Sequence, residues 1–360
     1  MNRIEWVIER CRLLQGIAAE YDGTRPFAGL AIGTGIHLEP KTVALLLTLQ
    51  RGGAELVSTG NLNTTQQDAC DYLAARGVRV VGGPTSDPAE HDANLWEVVR
   101  SKPELLLDNG GDLFARYLEE PYETLLGGTE ETTSGRTRLE PLRDRIALPV
   151  IVINDSPIKQ FAENEHAVGQ SVLESFLRIT NLSTNGKRVT VFGYGACGRG
   201  VAANFRNAYA IVSVVERDPV GRLRALLDGF LVPDRDEALR TADVIITVTG
   251  ASGVVTAADA DLLKPGAILA NAGHFPWEID APGLAEADVT VLEGGHMVNL
   301  AGPRPLGNSI ESMDLGFALQ ARCLEAVASG AVGPEACVVP VPRSIDDEVA
   351  SAFVAASRVG

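Results

Sequence analysis

The chain has no run of five or more basic residues, and 31 Lys and Arg against 47 Asp and Glu leave it a formal charge of −16. Nucleic acids and anionic membrane surfaces are held by clustered Lys and Arg. Neither is expected as a partner. No stretch approaches the ~18 uninterrupted apolar residues of a membrane span. The opening MNRIEWVIERCRLL alternates charge and bulk as an amphipathic helix does, with no apolar signal core and no small-residue cleavage site. Cysteines are few and scattered: Cys11, Cys70, Cys197, Cys323 and Cys337 form no C-x-x-C pair. That pattern argues against a zinc site or a disulfide framework. Reduced thiols in a cytoplasmic protein are the expectation.

What is present is alternation. The length of 360 residues suits two domains of ordinary size. Apolar, partly β-branched runs at 30–36, 54–60, 78–83, 103–112 and 149–155 read as strands. Residues 40–53 read as a helix closed by glycine, and 64–77 as a helix with a Thr cap and a closing Gly. A second strand and helix series starts near 186, and HAVGQSVLESFLRITN (166–181) reads as a long joining helix. Such alternation predicts α/β architecture, with helices covering parallel sheets in two Rossmann-like doubly wound domains. The expected division is 1–165, to which 309–360 return as helices, and 166–308.

VTVFGYGACGRG (189–200) places Gly193, Gly195 and Gly198 as G-x-G-x-x-G after an apolar strand and at the opening of a helix. The first glycine permits the tight turn, the second lets a pyrophosphate approach the backbone, and the third packs helix on strand. The helix N-terminus then faces the phosphates. Glu216 follows 18 residues after Gly198, at the end of the next strand. A carboxylate there accepts both ribose hydroxyls of NAD and repels a 2′-phosphate. NAD is the expected cofactor, although Arg217 alongside weakens the choice against NADP.

At this point the residues resemble a known family. VFGYGACGRG, ERDP, TGASGVV (249–255) and NAGHFPWEID (271–280) are similar to the cofactor domain of S-adenosyl-L-homocysteine hydrolases. DNGGDL (108–113), EETTSG (130–135) and NDSPIKQFAEN (154–164) are close to that family's substrate-domain signatures, with GIHLEPKT (35–42) a looser match. EGGHMVNL (293–300) and MDLGFALQ (313–320) match further on. The resemblance implies an enzyme that uses tightly held NAD to oxidise the 3′-hydroxyl of a nucleoside. The ketone acidifies C4′–H, the 5′ thioether is eliminated, water adds, and the ketone is reduced again. An unactivated C4′–H is too weak an acid for any side chain, which is the physical need for the temporary carbonyl.

The same resemblance implies site residues. Lys159 corresponds to the lysine beside the 3′-hydroxyl, and Asn164 to the asparagine near the same atoms and the nicotinamide. Glu131 and Thr132 correspond to the pair that holds ribose and cofactor, with Thr133 next to them. His37 corresponds to the histidine near the 5′ position and Asn299 to the asparagine on the carboxamide side of NAD. Ala196 and Cys197 in the glycine loop, Thr249, and Ala272, Gly273 and His274 past the nicotinamide complete the cofactor set. Met313 stands on the substrate side. Glu278 and Asp280 are expected to begin a surface helix. A homodimer or homotetramer is implied.

Departures from the family pattern cluster on the substrate side. Asn109 stands where the family has an aspartate, and an amide cannot act as a base. Glu163 replaces an aspartate, Val168 a cysteine and Glu39 a threonine. Asn308 is nearest to a missing histidine, and that threonine and histidine contact adenine in the family. The chain ends at ASRVG without the family's tail lysine and tyrosine, from which faster NAD exchange is expected. The altered residues leave the substrate open: S-adenosyl-L-homocysteine or a related nucleoside. Alternatives are a nucleoside 3′-dehydrogenase, an epimerase or eliminating enzyme, and a non-catalytic NAD-binding regulator.

Overall fold

Those apolar runs become two parallel sheets in the computed structural model, which describes residues 2–357. The chain divides into two units. One comprises residues up to Gln160 with those from Ile310 onward, and the other Phe161–Ser309. The end of the chain at 358–360, on which the expectation about a missing tail falls, lies outside the described residues.

The first unit holds β1 (Ala31–Ile36), β2 (Glu55–Gly60), β3 (Arg79–Val81), β4 (Leu105–Asp108), β5 (Gly127–Glu130) and β6 (Val150–Val152). The second holds β7 (Arg188–Phe192), β8 (Ile211–Val215), β9 (Val244–Thr247), β10 (Ala267–Asn271) and β11 (Val289–Val291). The last strand, β12 (Cys337–Pro340), joins the first sheet. The orders are β12-β6-β5-β4-β1-β2-β3 and β11-β10-β9-β7-β8. All pairings between these strands are parallel. Strand order reverses between β1 and β4 in one sheet and between β7 and β9 in the other. Ligands of doubly wound sheets bind outside the carboxyl ends of the strands at such reversals.

Burial follows the two-residue period of a strand. In the second sheet Val189, Val191, Val244 and Ile246 pack on one face with Phe176 and Phe205. Phe192, Ile245 and Leu269 pack on the other with Leu239 and Leu263. Helices on both faces explain why the strands read as nearly continuous apolar runs. Among the described residues no helix is long and apolar enough to cross a membrane.

Several local expectations are corrected. The helix expected from a Thr cap at 64 starts at Gln67, and its cap residue Gln66 makes no capping hydrogen bond through its side chain. Thr64 and Thr65 instead donate to the Asn61 carbonyl and shape the preceding turn. The joining helix starts earlier, as a π-helix over Lys159–Ala167 that continues as α-helix over Val168–Thr180. β12 occupies a stretch read as part of the returning helical segment, and the helix there is Arg343–Ser357. β5 reads GGTE and has no β-branched run. Its Gly128 is required, since an added Cβ would come 1.9 Å from the Leu106 carbonyl oxygen. The amphipathic opening breaks at Cys11 into helices Arg3–Arg10 and Arg12–Thr24.

Candidate active site

In the first unit, the carboxyl ends of β4 and β5 carry two buried acids. Asp108 accepts the backbone N–H groups of Asn109, Asp112, Leu113 and Phe114. Glu130 accepts those of Gly110, Gly111 and Thr132, and the Thr132 hydroxyl. Together they hold a turn that needs φ of +99° at Gly110 and +71° at Gly111. Burial, reinforced by neighbouring acids, pushes both carboxyls up, Asp108 to about 6 and Glu130 to about 8. Motif reading passed over both residues. Their signal was only that each immediately precedes a site residue.

The residues so positioned form a chain of hydrogen bonds. Lys159 Nζ donates to Glu131 Oε1 at 3.0 Å, and Asn109 Nδ2 donates to Glu131 Oε2 at 2.9 Å. Asn61 Nδ2 in turn donates to Asn109 Oδ1 at 3.1 Å. Lys159, Glu131 and Asn109 are all buried. Burial alone would raise the Glu131 carboxyl. The Lys159 ammonium and the hydrogen bonds from Lys159 and Asn109 outweigh it, so the group lies below the usual carboxylate range. His37 contributes to the same lowering, and its Nδ1 lies 2.6 Å from the Thr64 hydroxyl. Four residues that the resemblance assigns to the substrate side, from separate parts of the sequence, are thus brought to one edge of one sheet.

Glu39 caps the helix Pro40–Arg51, three residues past β1. Its Oε2 accepts the Lys41 backbone N–H and pairs with Lys41 Nζ at 3.0 Å, with both side chains at most 8% exposed. Thr132 caps the helix Thr133–Leu139, where Thr133 is exposed, and Met313 lies half-buried on the helix Ile310–Ala328.

In the second unit the glycine loop has the geometry its motif requires. Gly193 holds φ of +100°. A Cβ on Gly195 would meet nothing within 4 Å, which leaves the space a pyrophosphate needs. A Cβ on Gly198 would come 2.1 Å from the Gly193 carbonyl oxygen, so helix and strand meet closely there. Ala196 and Cys197, half-buried, open the helix Ala196–Asn207. Glu216 follows β8 directly, and its carboxylate holds the loop by accepting the Tyr194 N–H at 2.7 Å.

Past β9 and β10 the arrangement differs from the expected surface helix. Glu278 is fully buried in a short 3₁₀ turn, Pro276–Glu278. It accepts the Thr249 N–H and hydroxyl, each at 2.9 Å, and the Gly250 N–H at 2.7 Å. Asp280 is half-buried and caps the following turn through the Gly283 N–H. The expectation failed because three donors from the next loop outweigh the surface preference of an acid. Asn271 holds the Ala272–Gly273–His274 turn from inside, donating to the Gly273 and Phe275 carbonyls and accepting the Gly273 N–H. His274 is half-buried, its ring edge-on to Phe275 at 4.8 Å.

Asn299 donates to the Ser171 hydroxyl at 3.0 Å, while its buried Oδ1 has no hydrogen-bond partner among the described residues. An orphaned buried acceptor fits a site made for an amide donor. Ser171 also donates to Asn308 Oδ1, and Asn308 faces Glu163 Oε1 at 3.5 Å. Glu163, buried, and Asn164, half-buried, lie on the π-helix. π-Helical turns often occur at functional sites. The open space at Gly195, the carboxylate after β8 and the Asn299 acceptor fit a dinucleotide.

Comparison with known proteins agrees. The profile described as S-adenosyl-L-homocysteine hydrolase matches residues 8–122, and the profile described as the NAD binding domain of that enzyme matches residues 164–300. An adenosylhomocysteinase of Thermotoga maritima is 38% identical, over 97% of this chain and 92% of its own. An S-inosyl-L-homocysteine hydrolase of Methanopyrus kandleri is 37% identical, over 97% and 88%. Among solved structures, a dipicolinate synthase of Bacillus halodurans superposes with a TM-score of 0.55 at 14% identity, covering 84% of this chain and 99% of that one. A putative D-3-phosphoglycerate dehydrogenase of Ralstonia solanacearum gives 0.54 at 18%, covering 84% and 96%. These two likenesses establish the fold. The profile matches and the extent of identity establish more: this chain is an NAD-binding member of the S-adenosyl-L-homocysteine hydrolase family.

Proposed function

We propose that the protein cleaves the 5′ thioether of a nucleoside by transient oxidation at the ribose 3′ position. The observation that carries this reading is the buried chain Lys159–Glu131–Asn109 at the carboxyl ends of β4 and β5. When bound, NAD supplies reversible hydride acceptance at the 3′ carbon, which leaves a ketone beside C4′. Gly193, Gly195 and Gly198 would hold its pyrophosphate, Glu216 its ribose, and Asn299 its carboxamide. Lys159 holds and moves the 3′-hydroxyl proton, with Glu131 fixing its position. His37, held through Nδ1 by the Thr64 hydroxyl, serves the 5′ leaving group. Thr132 and Asn164 position ribose and cofactor, and Glu163 supports Asn308.

The curated relatives differ in the base they are named for, adenosyl or inosyl. Glu39 and Lys41 offer a charged acceptor beside a charged donor, which suits a base edge with an N–H next to a carbonyl. We take the base to differ from adenine for that reason. The test is incubation with S-inosyl- and S-adenosyl-L-homocysteine, following bound NADH by absorbance and products by mass spectrometry. Faster turnover of the S-inosyl compound is expected. Efficient hydrolysis of S-adenosyl-L-homocysteine would make Glu39 tolerated variation, and normal turnover of a 3′-deoxy analogue would sink the mechanism.

A second reading draws on Asn109, an amide where a base is needed: an enzyme that stops at the 3′-ketone or inverts a sugar carbon. Release of a 3′-keto or epimerised nucleoside with its thioether intact would establish it. We further take the protein to be cytoplasmic and to work as a homodimer or homotetramer, which sedimentation of the NAD-loaded protein would test.

A further inference from the structure

We propose that Glu278 biases the bound cofactor toward its oxidised form. The inference rests on the second unit as an NAD site and adds a role that the 3′-oxidation chemistry does not require.

The location follows from strand order. In a doubly wound sheet the acid after the second strand takes the adenosine ribose, and the glycine loop takes the pyrophosphate. Here those are Glu216 after β8, an edge strand, and the loop after β7. The dinucleotide crosses the reversal between β7 and β9, so its nicotinamide half runs along the loops after β9 and β10. Glu278 lies beneath both. It receives Thr249 and Gly250 of the first loop, and an added Cβ on Gly273 of the second would come 1.7 Å from its Oε1.

The charge follows from the partners. A backbone N–H can only donate, and both oxygens of Glu278 accept from one, at 2.9 Å from Thr249 and 2.7 Å from Gly250. Donors on both oxygens favour the ionised form of the carboxylate. Burial leaves the group raised on balance, while the hydrogen bonds from Thr249, Gly250 and Thr247 oppose the rise and support the charge. Among the described residues it forms no ion pair with a lysine or arginine, and burial is the largest influence on it. A buried negative charge without a counter-ion acts at longer range than one at a surface. The nicotinamide ring is cationic when oxidised and neutral when reduced. A fixed anion beneath that half of the site stabilises the first state over the second. For an enzyme that must begin every cycle with NAD in its oxidised form, that preference keeps the resting protein ready.

The test compares dissociation constants of NAD and NADH, by calorimetry and fluorescence, in native protein freed of cofactor and in two variants. Native protein is expected to hold NAD more tightly than NADH. Glu278→Gln should lower that preference about tenfold, equivalent to ~30 mV for a two-electron couple. Thr249→Val removes one donor and keeps the charge, so it should leave the ratio within about twofold even if both affinities fall. Tighter binding of NADH by native protein would overturn the proposal without any variant, which covers the case of Glu278→Gln failing to fold. Equal weakening of both forms in Glu278→Gln would also overturn it and leave Glu278 as a brace for the loops. Failure to bind either nucleotide would instead overturn the reading of the unit as an NAD site.

Discussion

The two units use the same edge of the same kind of sheet in different ways. In Phe161–Ser309 the features of the proposed cofactor site are largely backbone: a positive φ at Gly193, open space over Gly195, and turns held by Asn271 and Glu278. In the other unit they are side chains in series, from Lys159 through Glu131 and Asn109 to Asn61. Backbone recognition tolerates few changes, because any Cβ at the wrong glycine meets main chain. A side-chain series can be retuned by single substitutions, and the departures at Glu39 and Asn109 fall there. A member of this family can therefore keep its cofactor while changing its substrate.

The contrast can be broken by variants, starting with the largest expected effect. Lys159→Ala should cut NADH formation from a ribonucleoside by about 10³-fold, in the middle of the range for a lost proton-transfer group. NAD should stay bound, as read from copurified nucleotide. Loss of NAD in this variant would mean that the units do not divide the work as argued. Gly198→Ala should have the opposite profile. Its methyl would press on the Gly193 carbonyl, at a cost of ~1–3 kcal/mol, with a lower melting temperature and weaker NAD binding by calorimetry. Next comes Glu216→Ala, for which we expect about tenfold weaker NAD and relief of NADP exclusion, matching a loss of ~1.4 kcal/mol. Native protein that copurifies with NADP would refute the role of Glu216.

The smaller effects concern protons. Asn109→Asp would replace an N–H donor with a second carboxylate, 2.9 Å from Glu131 Oε2. Like charges so close share a proton, so the acid limb of kcat/KM should move to higher pH. If only a base is missing, turnover of S-adenosyl-L-homocysteine should rise in part. The smallest effect is on stability. The Glu131 carboxyl is lowered in the folded protein, so its contribution is complete above the unfolded value and is lost as pH falls through the folded one. Glu131→Gln should flatten that part of the acid-denaturation profile. An unchanged slope would show that Glu131 is not held as the structure implies.

Much of the fold could be read in advance because its signals are local. VTVF, VIIT and AILA are apolar runs bounded by turn residues, and each became a strand. β5 escaped because its backbone needs glycine against Leu106, which gives no strand signal. The Thr cap at 64 failed because those hydroxyls found the Asn61 carbonyl, a partner that no helix-start rule considers. Resemblance supplied residue types for the site and not their partners. Nothing in EETTSG says that Glu130 anchors a turn while Glu131, one residue on, meets Lys159.

By itself the sequence determined the class of the fold, the two sheets and the cofactor loop, because periodicity and glycine spacing act within a few residues. Only the tertiary structure decided the fate of Glu278. An acid after a proline and a tryptophan reads as solvent-facing. It is buried because the loop after β9, some thirty residues earlier, turns two N–H groups and a hydroxyl toward it. Burial of a charge is settled by the donors that converge on it, and those donors come from elsewhere in the chain.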